Sequence, residues 1–233
     1  MDPPRRPTGD PWDVERLRLP ADRTGDVQPS RRPPRHRQGD PFLRGPIPYD
    51  WISAACRLPG AGLHVATSFR FLCVRYRGEN RWGLESIARG LHVSPDTARR
   101  GLHAAELAGL LAVDREPGCK LSVSIRELPG PSPGPTRPPL FGPVPWAWWL
   151  TALRLDGPAL KTATACWLVA GWGRSASFDL ALGEWEGLGL SRTGAGRGLD
   201  RLARAGLVGV ARRPGVSPVV TVLEGPGRSS AGP

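Results

Sequence analysis

Apolar and polar positions in the middle of this chain change period several times, and each change marks an element. Trp51–Cys56 reads as a short buried helix entered through Pro48, with Asp50 placed to cap it. Leu58-Pro59-Gly60 interrupts that run. From Leu63 to Val74 the apolar residues Leu63, Ala66, Phe69, Phe71, Leu72 and Cys73 predict a largely buried helix. Ile87, Ala88 and Leu91 then define one face of a shorter helix, closed by a tight turn at His92-Val93. Ser94-Pro95 opens the next helix: the hydroxyl can accept from a first-turn amide, and proline is favoured at the first helical position. Ala98, Leu102 and Ala105 point inward, leaving Thr97, Arg99, Arg100 and His103 outside or at the rim. Gly109 stops the helix, and Leu110–Asp114 and Leu121–Ile125 read as strands flanking the turn Arg115-Glu116-Pro117-Gly118.

The pattern then recurs. Gly45-Pro46-Ile47-Pro48-Tyr49-Asp50-Trp51 returns 97 residues later as Gly142-Pro143-Val144-Pro145-Trp146-Ala147-Trp148. The same offset carries Ser94 onto Ser191, Ala108-Gly109-Leu110 onto Ala205-Gly206-Leu207, and Arg115 onto Arg212. Compared without a gap, 45–126 and 142–223 agree at 27 of 82 positions. A chance likeness of composition would not hold register over that length, so the chain is a tandem duplication. The expected fold is α+β, mainly helical with a small β-hairpin in each copy. The first copy covers 45–126 and the second 142–224.

Three segments lack that periodicity. Residues 1–44 are rich in proline, arginine and acidic groups and cannot bury enough surface to offset ordering, which predicts a disordered tail. Its cluster Arg31-Arg32-Pro33-Pro34-Arg35-His36-Arg37 is either a solvated stretch or an arm for phosphate or minor groove. Residues 127–141 include Pro129-Gly-Pro-Ser-Pro-Gly-Pro-Thr-Arg-Pro-Pro139, expected to be a semi-rigid spacer. At about 3.1 Å per residue it could hold the copies roughly 35 Å apart, about one duplex turn. Residues 225–233 read as a flexible end.

Composition narrows the function classes. The net charge is +11, and all but two of the 32 basic residues, Lys120 and Lys161, are arginines. Part of that arginine bias follows from GC-rich codons, yet a basic chain still favours polyanionic partners through counterion release. Cys56, Cys73, Cys119 and Cys166 form no close pair and have no zinc spacing with the four histidines, so neither a metal nor another cofactor is expected. Free thiols suit a reducing cytoplasm, and no apolar run is long enough to span a membrane. No catalytic constellation or phosphate-binding glycine loop stands out, so the chain reads as a non-enzyme.

The first copy resembles a bacterial winged helix-turn-helix domain. The resemblance rests on Ile87-Ala88-x-x-Leu91-x-Val93-Ser94-x-x-Thr97-Ala98-x-Arg100-x-Leu102, followed by Gly109-Leu110-Leu111-x-Val113 and a basic turn. It covers residues 84–125, and paired domains of this kind resemble plasmid replication initiators and some transcription regulators. The resemblance implies a helix lying in the major groove of double-stranded DNA and a wing touching its backbone. Ser94, Thr97, Arg99, Arg100 and His103 would then face DNA, with Arg115 and Lys120 on the wing. In the second copy Ser191, Arg192, Arg197 and Arg201 take the helix positions, and Arg212 and Arg213 the wing.

The second copy departs from the pattern in two places. Glu184 and Trp185 replace the apolar pair Ile87-Ala88, which predicts a shifted helix. Gly194, Gly196 and Gly198 each weaken the following helix by about 1 kcal/mol relative to alanine. They imply either close backbone approach to DNA or decay into a packing domain. Trp146, Trp148, Trp149, Trp167, Trp172 and Trp185 are concentrated there as well, expected mostly in the core, with some covering a contact between repeats or a dimer interface. The reading is therefore a nucleoid-associated, sequence-specific DNA binder acting in transcription or in plasmid or phage replication, as a homodimer or as an intramolecular pseudo-dimer. The alternative is a protein–protein adaptor docking through the tryptophan-rich copy.

Overall fold

Proline and glycine set the element ends in both halves alike. The computed structural model describes residues 32–35, 38–76, 81–115, 120–128 and 137–225. In the first half α1 (Tyr49–Arg57) starts after Pro48, followed by α2 (Gly62–Arg75), β2 (Arg81–Trp82), α3 (Leu84–Leu91), α4 (Pro95–Leu107), β3 (Leu111–Asp114) and β4 (Leu121–Ile125). In the second half α5 (Trp146–Leu153) starts after Pro145, followed by α6 (Ala159–Gly173), β6 (Ser177–Asp179), a 3₁₀ turn (Glu186–Leu188), α7 (Arg192–Arg204), β7 (Val208–Ala211) and β8 (Val219–Val222). Pro48, not Asp50, occupies the α1 cap, and Asp50 lies in the first turn, where its charge still suits the positive helix end. Among the described residues the fold is α+β, with seven α-helices and three small antiparallel sheets. No helix there is long and apolar enough to cross a membrane.

Each half closes its hairpin with a third strand, giving the orders β2-β4-β3 and β6-β8-β7. Strands of two and three residues are too short to show alternation, so the sequence carried no sign of them. Gly109 and Gly206, both with positive φ, turn α4 and α7 into their hairpins. The crossings of α4 on α2 and of α7 on α6 depend on a second glycine pair. A Cβ on Gly101 would meet Val65 Cγ2 at 2.9 Å and the Ala61 carbonyl at 3.0 Å, while one on Gly198 would overlap the Thr162 side chain. These residues are equivalent in the two repeats. Gly198 is therefore explained by helix packing and not by approach to a ligand.

The two halves share one continuous hydrophobic core. The chain ahead of α1 and the chain ahead of α5 pair with each other: β1 (Phe42–Leu43) runs antiparallel to β5 (Val144–Pro145), matching Leu43 with Val144. Ile47 and Leu140 exchange both backbone hydrogen bonds, at 3.0 and 2.9 Å. Under the 97-residue offset Leu43 corresponds to Leu140 and Ile47 to Val144, so these are one contact repeated across a pseudo-twofold axis. At the axis Gly45 and Gly142 face each other. A Cβ on Gly45 would lie within 3.1 Å of Gly142 Cα, and one on Gly142 within 3.2 Å of Gly45 Cα, each with backbone atoms closer still.

This seam corrects two expectations. Residues 41–44 belong to the fold and not to the tail, and 137–141 pack against it, so the copies are not held apart by a spacer. Residues 1–31, 36 and 37 of the expected tail, and with them Arg31, His36 and Arg37 of its basic cluster, Pro129–Thr136 of the expected spacer and 226–233 of the expected flexible end lie outside the described residues. The tryptophans fill the junction. Trp148, Trp149, Trp167 and Trp185 are buried, and Trp149 Nε1 donates to Thr67 Oγ1 of the first repeat at 3.3 Å. Trp146 stacks on Phe71 with 3.7 Å between ring centres, and Trp172 lies between Tyr49 and Trp185, donating to the carbonyls of Pro138 and Pro139. Ser53 Oγ adds a bond to the Gly187 carbonyl at 2.7 Å.

Gly45→Ala or Gly142→Ala should lower unfolding stability by about 1–3 kcal/mol, because the new methyl meets backbone that has no room to yield. Gly90→Ala, in α3 with open space around it, should raise stability by about 0.5–1 kcal/mol. Urea denaturation of the three variants tests the seam; equal effects would show that it is not tightly closed.

Candidate nucleic-acid interface

The outer face of α4 is fixed by its cap. Ser94, in extended conformation, accepts from the Thr97 amide at 3.1 Å, and its hydroxyl lies 2.8 Å from Thr97 Oγ1. Pro95 fills the first helical position. Behind this face Ala98, Gly101, Leu102 and Ala105 are buried. In front, Arg99 forms an ion pair with Asp96 at 2.6 Å, which engages part of its charge. Arg100 is exposed and makes only a long 3.5 Å contact with Thr97 Oγ1, so among the described residues no acid engages its guanidinium.

One helical turn further on, the face changes character. Glu106 accepts both terminal nitrogens of Arg115, at 2.8 and 2.6 Å, and lies 3.9 Å from His103. The bidentate pair ties the start of the β3–β4 turn to α4. The Arg115 guanidinium holds the Glu106 carboxyl below the ordinary carboxylate range, and Glu106 in turn raises Arg115. Since the folded-state value of Glu106 is depressed, the pair persists through neutral pH and breaks only on acidification below that range. Lys120 is exposed at the far side of the turn; residues 116–119 lie outside the described set. Leu84, Leu102, Leu107 and Leu121 floor a groove of about 940 Å³ beneath Arg99, Arg100 and Arg115, with Leu107 74% exposed.

In the second repeat α7 keeps the cap: Ser191 accepts from the Gly194 amide at 3.1 Å. Arg192 and Arg197 are exposed on its outer side. Of the three glycines, Gly194 and Gly198 face inward, and only Gly196 has open space where a side chain would project. Arg212 pairs with Asp200 at 2.6 Å, so both hairpin turns begin with an arginine held by an acid of the preceding helix. Arg213 is exposed beside it. Arg201, one helical turn on from Arg197, is half-buried and lies against the Gly157 turn, where a Cβ would meet its Nη1 at 3.0 Å.

The helix preceding α7 is reduced to the 3₁₀ turn, because the buried Trp185 and the polar residues around it cannot form an apolar face like Ile87-Ala88-Leu91. The turn that follows keeps its geometry in both repeats. His92 (φ 56°) and Gly189 (φ 61°) are equivalent left-handed residues. Sequence reasoning missed the acids Asp96, Glu106 and Asp200 that engage the arginines. It also missed Arg154 and Arg204, which lie beside Arg201. The one usable signal was spacing, since Asp96 stands three residues before Arg99 on one helix.

Burial pushes the Cys56 and Cys166 thiols up to about 12, and among the described residues no three His, Cys, Asp or Glu side chains converge. Comparison with family models, curated proteins and solved structures returns no match.

Ser94→Ala and Ser191→Ala should each lower stability by about 1 kcal/mol through loss of a capped amide. Chemical denaturation measures it, and unchanged midpoints would show that neither serine fixes its helix.

Proposed function

We propose that this chain binds double-stranded DNA sequence-specifically through two tandem winged helix-turn-helix units, one per repeat. The observation that carries the reading is the outer face of α4, a well-capped helix that presents to solvent an Arg100 that no described acid engages, beside a half-buried Thr97. An α-helix with its side chains is about 10–12 Å across and fits a major groove about 12 Å wide. In both repeats the order helix, strand, helix or 3₁₀ turn, helix, strand, strand supports the same reading, as does closure of each sheet by the short strand after α2 or α6. Arg100 is the base reader, and Ser94 and Thr97 hold the helix end near the backbone.

Ion pairing ranks the remaining residues. Arg99 and Arg115 share their charge with Asp96 and Glu106, so they position helix and wing more than they grip phosphate. Lys120 and Arg213 supply wing charge. Arg192 and Arg197 serve the second reader, with Gly196 leaving its backbone open to approach. Because the repeats share a core, the chain acts as an intramolecular pseudo-dimer and addresses two unequal half-sites. Such binding serves transcription regulation or initiation of plasmid or phage replication, and places the protein on the nucleoid. The adaptor reading has less support, because four of the six tryptophans that would dock a partner are buried and the half-buried Trp146 and Trp172 pack on Phe71, Tyr49 and Trp185.

Titrating the full chain against genomic fragments at several salt concentrations should give site-selective binding whose log affinity falls linearly with log salt. Absence of binding at low salt would sink the proposal. Arg100→Ala should cost about 1–3 kcal/mol on the preferred site and relax its selectivity. Arg99→Ala should cost less, and Lys120→Ala should weaken all sequences alike. Equal losses from Arg100→Ala on every sequence would argue against base reading.

A further inference from the structure

The second repeat carries a basic notch that the first lacks. Arg154 at the end of α5 and Arg201 and Arg204 in the last turns of α7 line one concavity with Leu155, Asp156 and Ala205. None of the three arginines forms an ion pair with a carboxylate among the described residues, whereas Arg99, Arg115 and Arg212 all do. Asp156 lines the same concavity without closing on any of them. Arg204 Nε donates to the Asp200 carbonyl of its own helix, which fixes its stem. Arg201 Nη1 is fully shielded from solvent and has no hydrogen-bond partner among the described residues.

The negative end of α7 accounts for a preference for cations in its last turn. It does not account for a third guanidinium supplied by another element, nor for a shielded guanidinium nitrogen without an acceptor. The equivalent positions in the first repeat are Arg57, Ala104 and the exposed Leu107, so two of the three charges are particular to this copy.

We infer that Arg154, Arg201 and Arg204 form an anion site for a phosphate group. On the DNA-binding reading, on which the source of that phosphate rests, it is one of the duplex backbone. The 13 residues of α7 span about 20 Å, more than the roughly 12 Å width of the major groove. If the Arg192 end lies in the groove, the Arg204 end, about 18 Å along the helix, reaches the flanking backbone. The notch then anchors the second repeat at a point where the first keeps only one of the three charges, Arg57.

The test uses the full chain carrying Arg154→Gln and Arg204→Gln together, which leaves Arg201 against Gly157, with thermal unfolding confirming an intact fold. Two probes are applied: duplex DNA across a salt series, and inorganic phosphate against chloride at matched ionic strength, read as a shift in Tm. With a backbone phosphate in the notch, the double variant binds about 3- to 10-fold more weakly near 0.1 M salt. Its salt slope falls by about 1 for each phosphate that the notch no longer neutralises, and its ratio of specific to random binding is unchanged. If DNA binding is unaltered but phosphate raises the Tm of the parent and not of the variant, the site stands with free phosphate as its ligand. If the parent chain binds no DNA at all, the functional reading fails and the phosphate arm alone decides the notch. No difference between parent and variant in either arm overturns it.

Discussion

The closure of Gly45 on Gly142 is the constraint from which the rest of the structure follows. Two backbones approach at the pseudo-twofold axis so closely that no side chain fits between them. The approach places Leu43 opposite Val144 and Ile47 opposite Leu140, and it sets α1 and α5 against the opposite repeat. Phe71 then meets Trp146, Thr67 meets Trp149, and Ser53 meets Gly187. Taken apart, either half would expose several fully buried side chains, and a domain of about 80 residues has little core to spare. The arrangement is that of an obligate dimer whose subunits are joined in one chain.

Much of each repeat could be read from the sequence, and the relation between the repeats could not. Ser94-Pro95, the inward Ala98-Leu102-Ala105 face, Gly109 and the Leu121–Ile125 strand are local signals, each carried by a few adjacent residues, and each appears in the structure where the pattern put it. The seam is built from segments 97 residues apart whose few apolar positions sit among prolines. Proline-rich composition there indicated a tail and a spacer. The offset did contain a further sign, since Pro41 and Leu43 match Pro138 and Leu140 just outside the compared range. Two-residue strands have no period to detect, and ion pairs such as Arg115 with Glu106 depend on where a hairpin folds back.

The glycines of α7 show how one residue type can answer to different forces. Gly198 stands where Gly101 stands in the first repeat and has the same steric cause, a close helix crossing. Gly194 lies beneath the Ser191 cap, and Gly196 alone faces open space. A helix that looked weakened along its length is thus constrained at two positions and free at one. The charges have diverged in a comparable way. In the first repeat the guanidinium that no described acid engages is early in the helix at Arg100, whereas the second adds Arg201 and Arg204 at the far end. The halves share a scaffold and differ in where they present positive charge.

Covalent joining of the two repeats also changes how the protein responds to its own abundance. A reader assembled from separate identical subunits must first find its partner, so its active population falls off with the square of chain number when chains are few. Here the partner is always present, at an effective concentration set by the connecting segment and independent of dilution. On the proposed DNA-binding reading, each copy of the chain carries both surfaces once folded, so at low abundance occupancy of a target rises in proportion to chain number and not to its square.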